Sequence, residues 1–196
     1  MEAIAATADL ISDDLRAVVG GQPRDAITGE INHRQLTEVL RTTLEETIKL
    51  RSSCCFLLAA VDDFDRINET HGLDIGEAVI AAVGRRIRAQ MRGKDHLGRF
   101  SDNIFGVVIN DCTPTDMLTA AERLLVGVRD EVVQTETGPV TVTVTIGGVT
   151  LPRYARNVHE VLACARQALD DARAKGAGSF QPYRPNAETR NLARAS

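Results

Sequence analysis

The sequence predicts an α+β sandwich, in which a central, mostly antiparallel sheet is flanked by helices. Three observations carry that expectation. Cys54 to Val61 is a continuous apolar run of strand length, as in a strand buried on both faces. Leu97 to Ile109 contains two apolar runs separated by a polar turn, the pattern of a hairpin. Around them, apolar residues recur at three- and four-residue steps, which marks amphipathic helices.

Element by element, Ile4, Leu10, Ile11, Leu15 and Val18 form a weak helical period ended by Gly20-Gly21 and Pro23. Leu36, Val39, Leu40, Leu44 and Ile48 predict a helix over about 34–50. The buried strand follows, and Asp62-Asp63 ends it. Val79, Ile80, Val83 and Ile87 predict a helix over 76–91, after which Gly93-Lys94-Asp95 turns the chain into the hairpin. Thr113-Pro114-Thr115-Asp116 is a helix start, with the helix running to about Val133. Val140 to Leu151 alternates Val and Thr, which predicts a strand with one polar and one apolar face. Asn157 to Lys175 is the last helix, stopped by Gly176 and Gly178. Gln181 to Ser196 is polar and reads as a linker or tail.

A chain of 196 residues, 43% hydrophobic and 26% charged, suits one globular domain with short appendages. A net charge of −4 supplies no basic field for nucleic acid, so specific ligands or proteins are the expected partners. The apolar run at Cys54 is too short to cross a bilayer, and Met1-Glu2 opens no basic leader, which together predict a cytoplasmic protein without membrane contact. Cys54, Cys55, Cys112 and Cys164 lack metal spacing and read as buried apolar residues. His33, His71, His96 and His159 are scattered and suggest no catalytic or metal role.

The stretch Gly98-Arg99-Phe100-Ser101-Asp102-Asn103-Ile104-Phe105-Gly106 resembles the signature hairpin of the bacterial GGDEF family, which makes the second messenger cyclic di-GMP from two GTP. Arg99, Phe100 and Phe105 match the family pattern, whereas the Gly-Gly-Asp/Glu-Glu-Phe core reads Ser-Asp-Asn-Ile-Phe. Asp25-Ala26-Ile27-Thr28-Gly29 with Asn32-His33-Arg34 is similar to the family's opening motif. Phe64-Asp65-Arg66-Ile67-Asn68-Glu69, Gly76-Glu77 and Val142 to Val149 match further segments. The resemblance implies a ferredoxin-like palm of the nucleotidyl-cyclase type over residues 25–184, with an N-terminal helix and linker at 1–24 and a polar tail at 185–196. Tyr183-Arg184-Pro185 with its following arginines is similar to the join between GGDEF and EAL phosphodiesterase domains in composite proteins.

In that family the 3′-hydroxyl of one GTP attacks the α-phosphate of the other with help from metals held by two carboxylates. The resemblance puts those positions at Ala60 and Asn103, with Ile104 beside the second. Neither a methyl nor an amide replaces the hard anionic oxygen that magnesium favours. Asp62, Asp63 and Asp102 add charge nearby, but their directions are expected to differ from that of Ala60. Ser101 and Asp102 replace the glycines that admit the phosphates, and Arg173 and Ala177 stand at the family's triphosphate-binding Lys and Arg. Asn68 and Glu77 occupy the guanine-binding positions; a turn cap and a solvated helix acid are equally open readings of them. Arg92, Asp95 and Arg123 occupy the family's inhibitory cyclic di-GMP site, where guanidinium groups suit phosphate and the guanine Hoogsteen edge; an exposed turn pair and a solvated helix arginine are the alternative.

The function expected is a catalytically silent, cyclic di-GMP-binding regulatory domain. The alternatives are an active diguanylate cyclase and a structural or dimerisation module that binds no nucleotide. Expected partners are cyclic di-GMP, weakly held GTP, and a protein partner or second copy, with no nucleic acid. No cofactor is expected, and Mg²⁺ belongs only to the cyclase alternative.

Overall fold

The computed structural model describes residues 24–185. The helix expected over 1–21 lies outside them, as does the end of the expected tail. In order, the elements are α1 (His33–Leu50), β1 (Cys54–Val61), α2 (Phe64–His71), α3 (Leu73–Ala89), β2 (His96–Ser101), β3 (Ile104–Ile109), α4 (Pro114–Arg129), β4 (Val133–Thr135), β5 (Gly138–Val140), β6 (Val144–Leu151), α5 (Val158–Arg173) and β7 (Phe180–Pro182).

Local chemistry sets several boundaries. The Asn32 carboxamide accepts from Gln35 N to start α1, and Asn157 accepts from Glu160 N to start α5. Thr113 and Asp116 close a reciprocal capping box at α4, with Pro114 in the first turn. Gly72, at φ 90°, separates α2 from α3 in a backbone region that a side chain would strain. The last turn of α4 and the loop after it rest on Arg86, whose guanidinium donates to the carbonyls of Val128, Glu131 and Val132.

Five strands form one sheet in the order β2-β3-β1-β6-β7. All neighbours are antiparallel except β6 and β7, which are parallel. β1 lies at the centre, and the period of two divides its side chains between two cores. Cys55, Leu57, Ala59 and Val61 face α3 and α4 through Val79, Val83, Met117 and Leu124. Cys54, Phe56, Leu58 and Ala60 face α1 and α5 through Leu36, Leu40, Ala165 and Leu169. That double covering is why the run is uninterruptedly apolar. The architecture is the expected α+β one, with helices on both faces of a mixed sheet. All four cysteines are buried and free.

Three expectations change. The run from Val140 to Leu151 is not one strand with a wet face: β5 ends at Val140, β6 begins at Val144, and every residue of β6 is buried. Thr145 and Thr150 mimic surface positions, but β6 is an inner strand under two helical layers, and the Thr145 hydroxyl is satisfied internally by Asp62. The helix expected to reach Val133 ends at Arg129, and a small hairpin of β4 and β5 follows, turning at Gly138 with φ 113°. Finally, Gln181 to Tyr183 are not tail. β7 pairs with β6, Tyr183 N donates to Gly148 O at 2.6 Å, and the buried Tyr183 ring meets Tyr154 edge-on at 5.7 Å. Three residues carry too little periodicity to announce a strand whose partner is thirty-odd positions earlier.

Candidate functional site

The signature hairpin is built on close backbone approach rather than on its rewritten core. Gly98 and Gly106 pair across β2 and β3, and a β-carbon at either would stand 2.9 or 2.4 Å from Leu36 of α1. Leu36 therefore seats α1 on the hairpin. At the tip, Arg99 Nε donates to Ser101 O at 2.7 Å, and its Nη2 donates to Asp102 O. Arg99 also lies 3.5 Å from the Asp25 carboxylate and 5.9 Å from the Phe105 ring centroid. Burial lowers its pKa, against the opposing pull of Asp25, Asp102 and Glu77. Asp25 in turn accepts from Thr28 N and Oγ1. The opening motif and the signature thus brace one another, holding the tip with its carbonyls occupied from below.

Where the sequence resemblance puts metal ligands, the structure has packing. Ala60 is 1% exposed and pairs with Ile104 on β3 and Thr145 on β6. Ile104 joins the same apolar cluster as Ala60. Asn103 is engaged through its backbone, its carbonyl accepting from Val61 N at 2.8 Å. A methyl, a sec-butyl side chain and one neutral amide do not fit a pair of magnesium ions, which require several anionic oxygens. Among the described residues, no group of three or more His, Cys, Asp or Glu side chains is arranged to hold a metal.

Asp62, two residues beyond Ala60, is held by three protein donors. It accepts from Thr143 Oγ1 and Thr145 Oγ1 at 2.6 Å each and from Gly178 N at 2.9 Å. Its bonds tie the end of β1 to the start of β6 and to the turn before β7. Prior commitment, rather than the strand direction invoked from the sequence, is what removes it from ligand duty. Asp63 is exposed and pairs with Arg66 at 2.9 Å, and Ser101 and Asp102 are exposed at the hairpin tip. At the far end of α5, Arg173 is exposed beside Asp170 at 3.8 Å, and Ala177 is exposed.

The guanine positions differ from each other. Asn68 Oδ1 is buried without a hydrogen-bond partner, facing Gly76 so closely that a β-carbon there would lie 1.8 Å away. Its side chain therefore does not cap a turn. Glu77 is exposed on α3.

Arg92 and Arg123 come together. Arg92 lies in the turn before β2 and Arg123 on α4, yet both line one pocket with Ile109, Asp111, Cys112, Asp116, Thr119 and Ala120. Arg123 Nε is buried with no partner. Asp95 is 6% exposed, and its carboxylate accepts from Arg92 N at 2.9 Å and Asn110 N at 3.3 Å. It closes the turn that presents Arg92 and does not itself line the pocket. Asp111 and Asp116 do, which the sequence reading missed. Their available signal was spacing: Asp116 precedes Arg123 by seven residues, two turns along the same helical face.

The comparisons bear on the family and the fold. The family described as "Diguanylate cyclase, GGDEF domain" matches residues 23–179. Probable diguanylate cyclase DgcC of Escherichia coli K12 is 28% identical over 170 residues, covering 87% of this chain and 46% of DgcC. The response regulator PleD of Caulobacter vibrioides is 31% identical over 100 residues, covering 51% of this chain and 22% of its own. This chain thus spans less than half the length of these curated relatives. Among solved structures, the DgcB coiled coil and GGDEF domain of Caulobacter crescentus in complex with c-di-GMP superposes with TM-score 0.82 at 18% identity, covering 92% and 96% of the two chains. SiaD of Pseudomonas aeruginosa in complex with its activator SiaC gives TM-score 0.80 at 26% identity, covering 92% and 70%. No helix among the described residues is long and apolar enough to cross a membrane. Family match, fold and the braced Arg99 hairpin converge, and the chain belongs to the GGDEF domain family of cyclic di-GMP signalling.

Proposed function

We propose that this chain is a cytoplasmic regulatory domain that binds cyclic di-GMP at the pocket of Arg92 and Arg123 and does not condense GTP. The observation that carries the reading is the convergence of two arginines from separate elements on one pocket, one of them with a buried N–H left without an acceptor. An orphaned donor of that kind costs about 1–3 kcal/mol unless something accepts from it, and phosphate or guanine oxygens are suitable acceptors. Asp95 contributes by fixing the turn that carries Arg92. The complex of DgcB with c-di-GMP on the same fold supports this ligand class.

Catalytic silence rests on the donor set, because Ala60, Asn103 and Ile104 offer no carboxylate and Asp62 already accepts three hydrogen bonds from the protein. Weak GTP binding through Asn68, with Glu77 beside it, remains part of the proposal, since the Asn68 oxygen lacks a partner. Output then passes to a protein partner or a second copy, as the SiaD–SiaC complex illustrates for a relative.

Calorimetric titration with cyclic di-GMP tests the reading. Micromolar or tighter binding that falls at least about tenfold in Arg92→Ala supports it; no binding, or binding indifferent to Arg92, overturns it. Product formed from GTP with Mg²⁺ or Mn²⁺ overturns the silent-domain part.

A further inference from the structure

The four buried thiols sort into two layers. Cys55 and Cys112 belong to the core that faces α3 and α4, Cys54 and Cys164 to the one that faces α1 and α5. After β3 the chain is laid against the start of β1 by one backbone bond, from Cys112 N to Ser53 O at 3.0 Å. That bond brings Cys112 to Cys55. The Cys55 thiol donates to Cys112 O at 3.4 Å, and Thr113 O lies 3.8 Å from Cys55 Sγ and 3.6 Å from Cys112 Sγ. One carbonyl within reach of both sulfurs puts them in the same small space. The thiols themselves touch, and that contact, followed by burial, raises the Cys55 pKa. Of the two, Cys112 borders open space: it lines a pocket of about 70 Å³ beside Arg92 and Arg123, room for a few molecules the size of water.

We propose that Cys55 and Cys112 are a redox pair, which hydrogen peroxide converts to a reversible disulfide fastening the connection between β3 and α4 to the central strand. Cys112 reacts first, because the pocket admits the oxidant to it. Its sulfur attacks one peroxide oxygen, the O–O bond breaks, and the departing hydroxide takes the thiol proton as water, leaving a sulfenic acid. Cys55, the less acidic and more enclosed thiol, resolves it. Its sulfur attacks the sulfenic sulfur, the S–S bond forms as the S–O bond breaks, and hydroxide leaves with the Cys55 proton as a second water. The two sulfurs together lose two electrons, and the peroxide gains them. Cys54 does not compete, because strand alternation turns its side chain to the opposite layer. Cys164 sits on that side as well, against Tyr154 O. In a reducing compartment such a link is transient, a regulatory mark rather than a permanent staple. Thr113, which caps α4, follows Cys112 directly, so the link pins the start of that helix to β1. No step depends on a nucleotide.

The test treats folded wild type with hydrogen peroxide, quenches the reaction, and counts free thiols after denaturation. The count is expected to fall from four to two, with the tryptic peptides of Cys55 and Cys112 joined, and dithiothreitol is expected to restore both thiols. The linked residues are 57 positions apart, so the oxidised protein is expected to unfold at a higher temperature than the reduced one. Cys54→Ala is expected to keep the link. Cys55→Ala is expected to stop at a sulfenic acid on Cys112, which dimedone labels. Thermal unfolding of each variant checks that it is folded, and the result with wild type stands without them. Four free thiols in treated wild type, a link through Cys54 or Cys164, or a link that forms only in denaturant overturns the proposal. A midpoint unchanged or lowered by oxidation overturns the fastening, and a dimedone label on Cys55 in Cys112→Ala with none on Cys112 in Cys55→Ala overturns the order of attack.

Discussion

A single carboxylate decides much of what the region around β1 can do. Asp62 collects three donors from two segments distant in sequence, and a charged acceptor with that many partners is both strongly held and structurally expensive to remove. Asp62→Ala is expected to lower stability by about 2–4 kcal/mol, read from denaturant unfolding, and to leave cyclic di-GMP binding by the folded fraction unchanged. Tyr183 makes a second prediction. Burial, aided by the neighbouring Cys164 thiol, pushes its phenol up to about 12. The folded state then holds this proton more tightly than the unfolded state, so the stabilisation is complete below about pH 10 and disappears as pH rises toward 12. Tyr183→Phe is expected to flatten that alkaline decline in a series of thermal midpoints measured across pH 9–12.

Among elements, β6 shows how closely a strand and a helix can approach. A β-carbon on Gly147 would stand 2.1 Å from Leu169 N, a backbone atom of α5 that has no flexible end to swing away. Gly147→Ala therefore forces the helix off the sheet and is expected to cost about 3 kcal/mol or more, visible as a lowered unfolding midpoint. The same strand marks what the sequence could and could not reveal. β1, α4 and α5 were legible because an apolar run, a Thr-Pro-Thr-Asp start and an Asn cap each act over a few neighbouring residues. β6 misled because Thr fits a pleat whether its hydroxyl faces water or, as at Thr145, an internal carboxylate. β7 was invisible because its three residues are a strand only by virtue of β6. For the candidate site, motif spacing pointed to Arg92 and Arg123 and helical spacing could have added Asp116, whereas the inward commitment of Asp95 depends on how its turn meets the end of β3.

At the scale of the whole molecule, the two cores have β1 as their common wall. One set of its side chains belongs to the layer of α3 and α4, the alternate set to the layer of α1 and α5. The Arg92–Arg123 pocket borders the first layer, whereas the opening motif, the hairpin tip and α1 are linked to the second through Leu36 and Phe100. The proposed ligand would therefore be held by an element, α4, that packs across the sheet from α1. The central wall also fixes the order in which the protein can come apart. β7 lies at one edge and β2 at the other, where only Ile31 bridges Gly98, but the amides of β1 sit between β3 and β6 and as a set lose their partners only when both ladders open. Native-state hydrogen exchange should therefore rank β1 slowest, at the free energy of global unfolding, with β7 and β2 releasing their protons through smaller, partial openings.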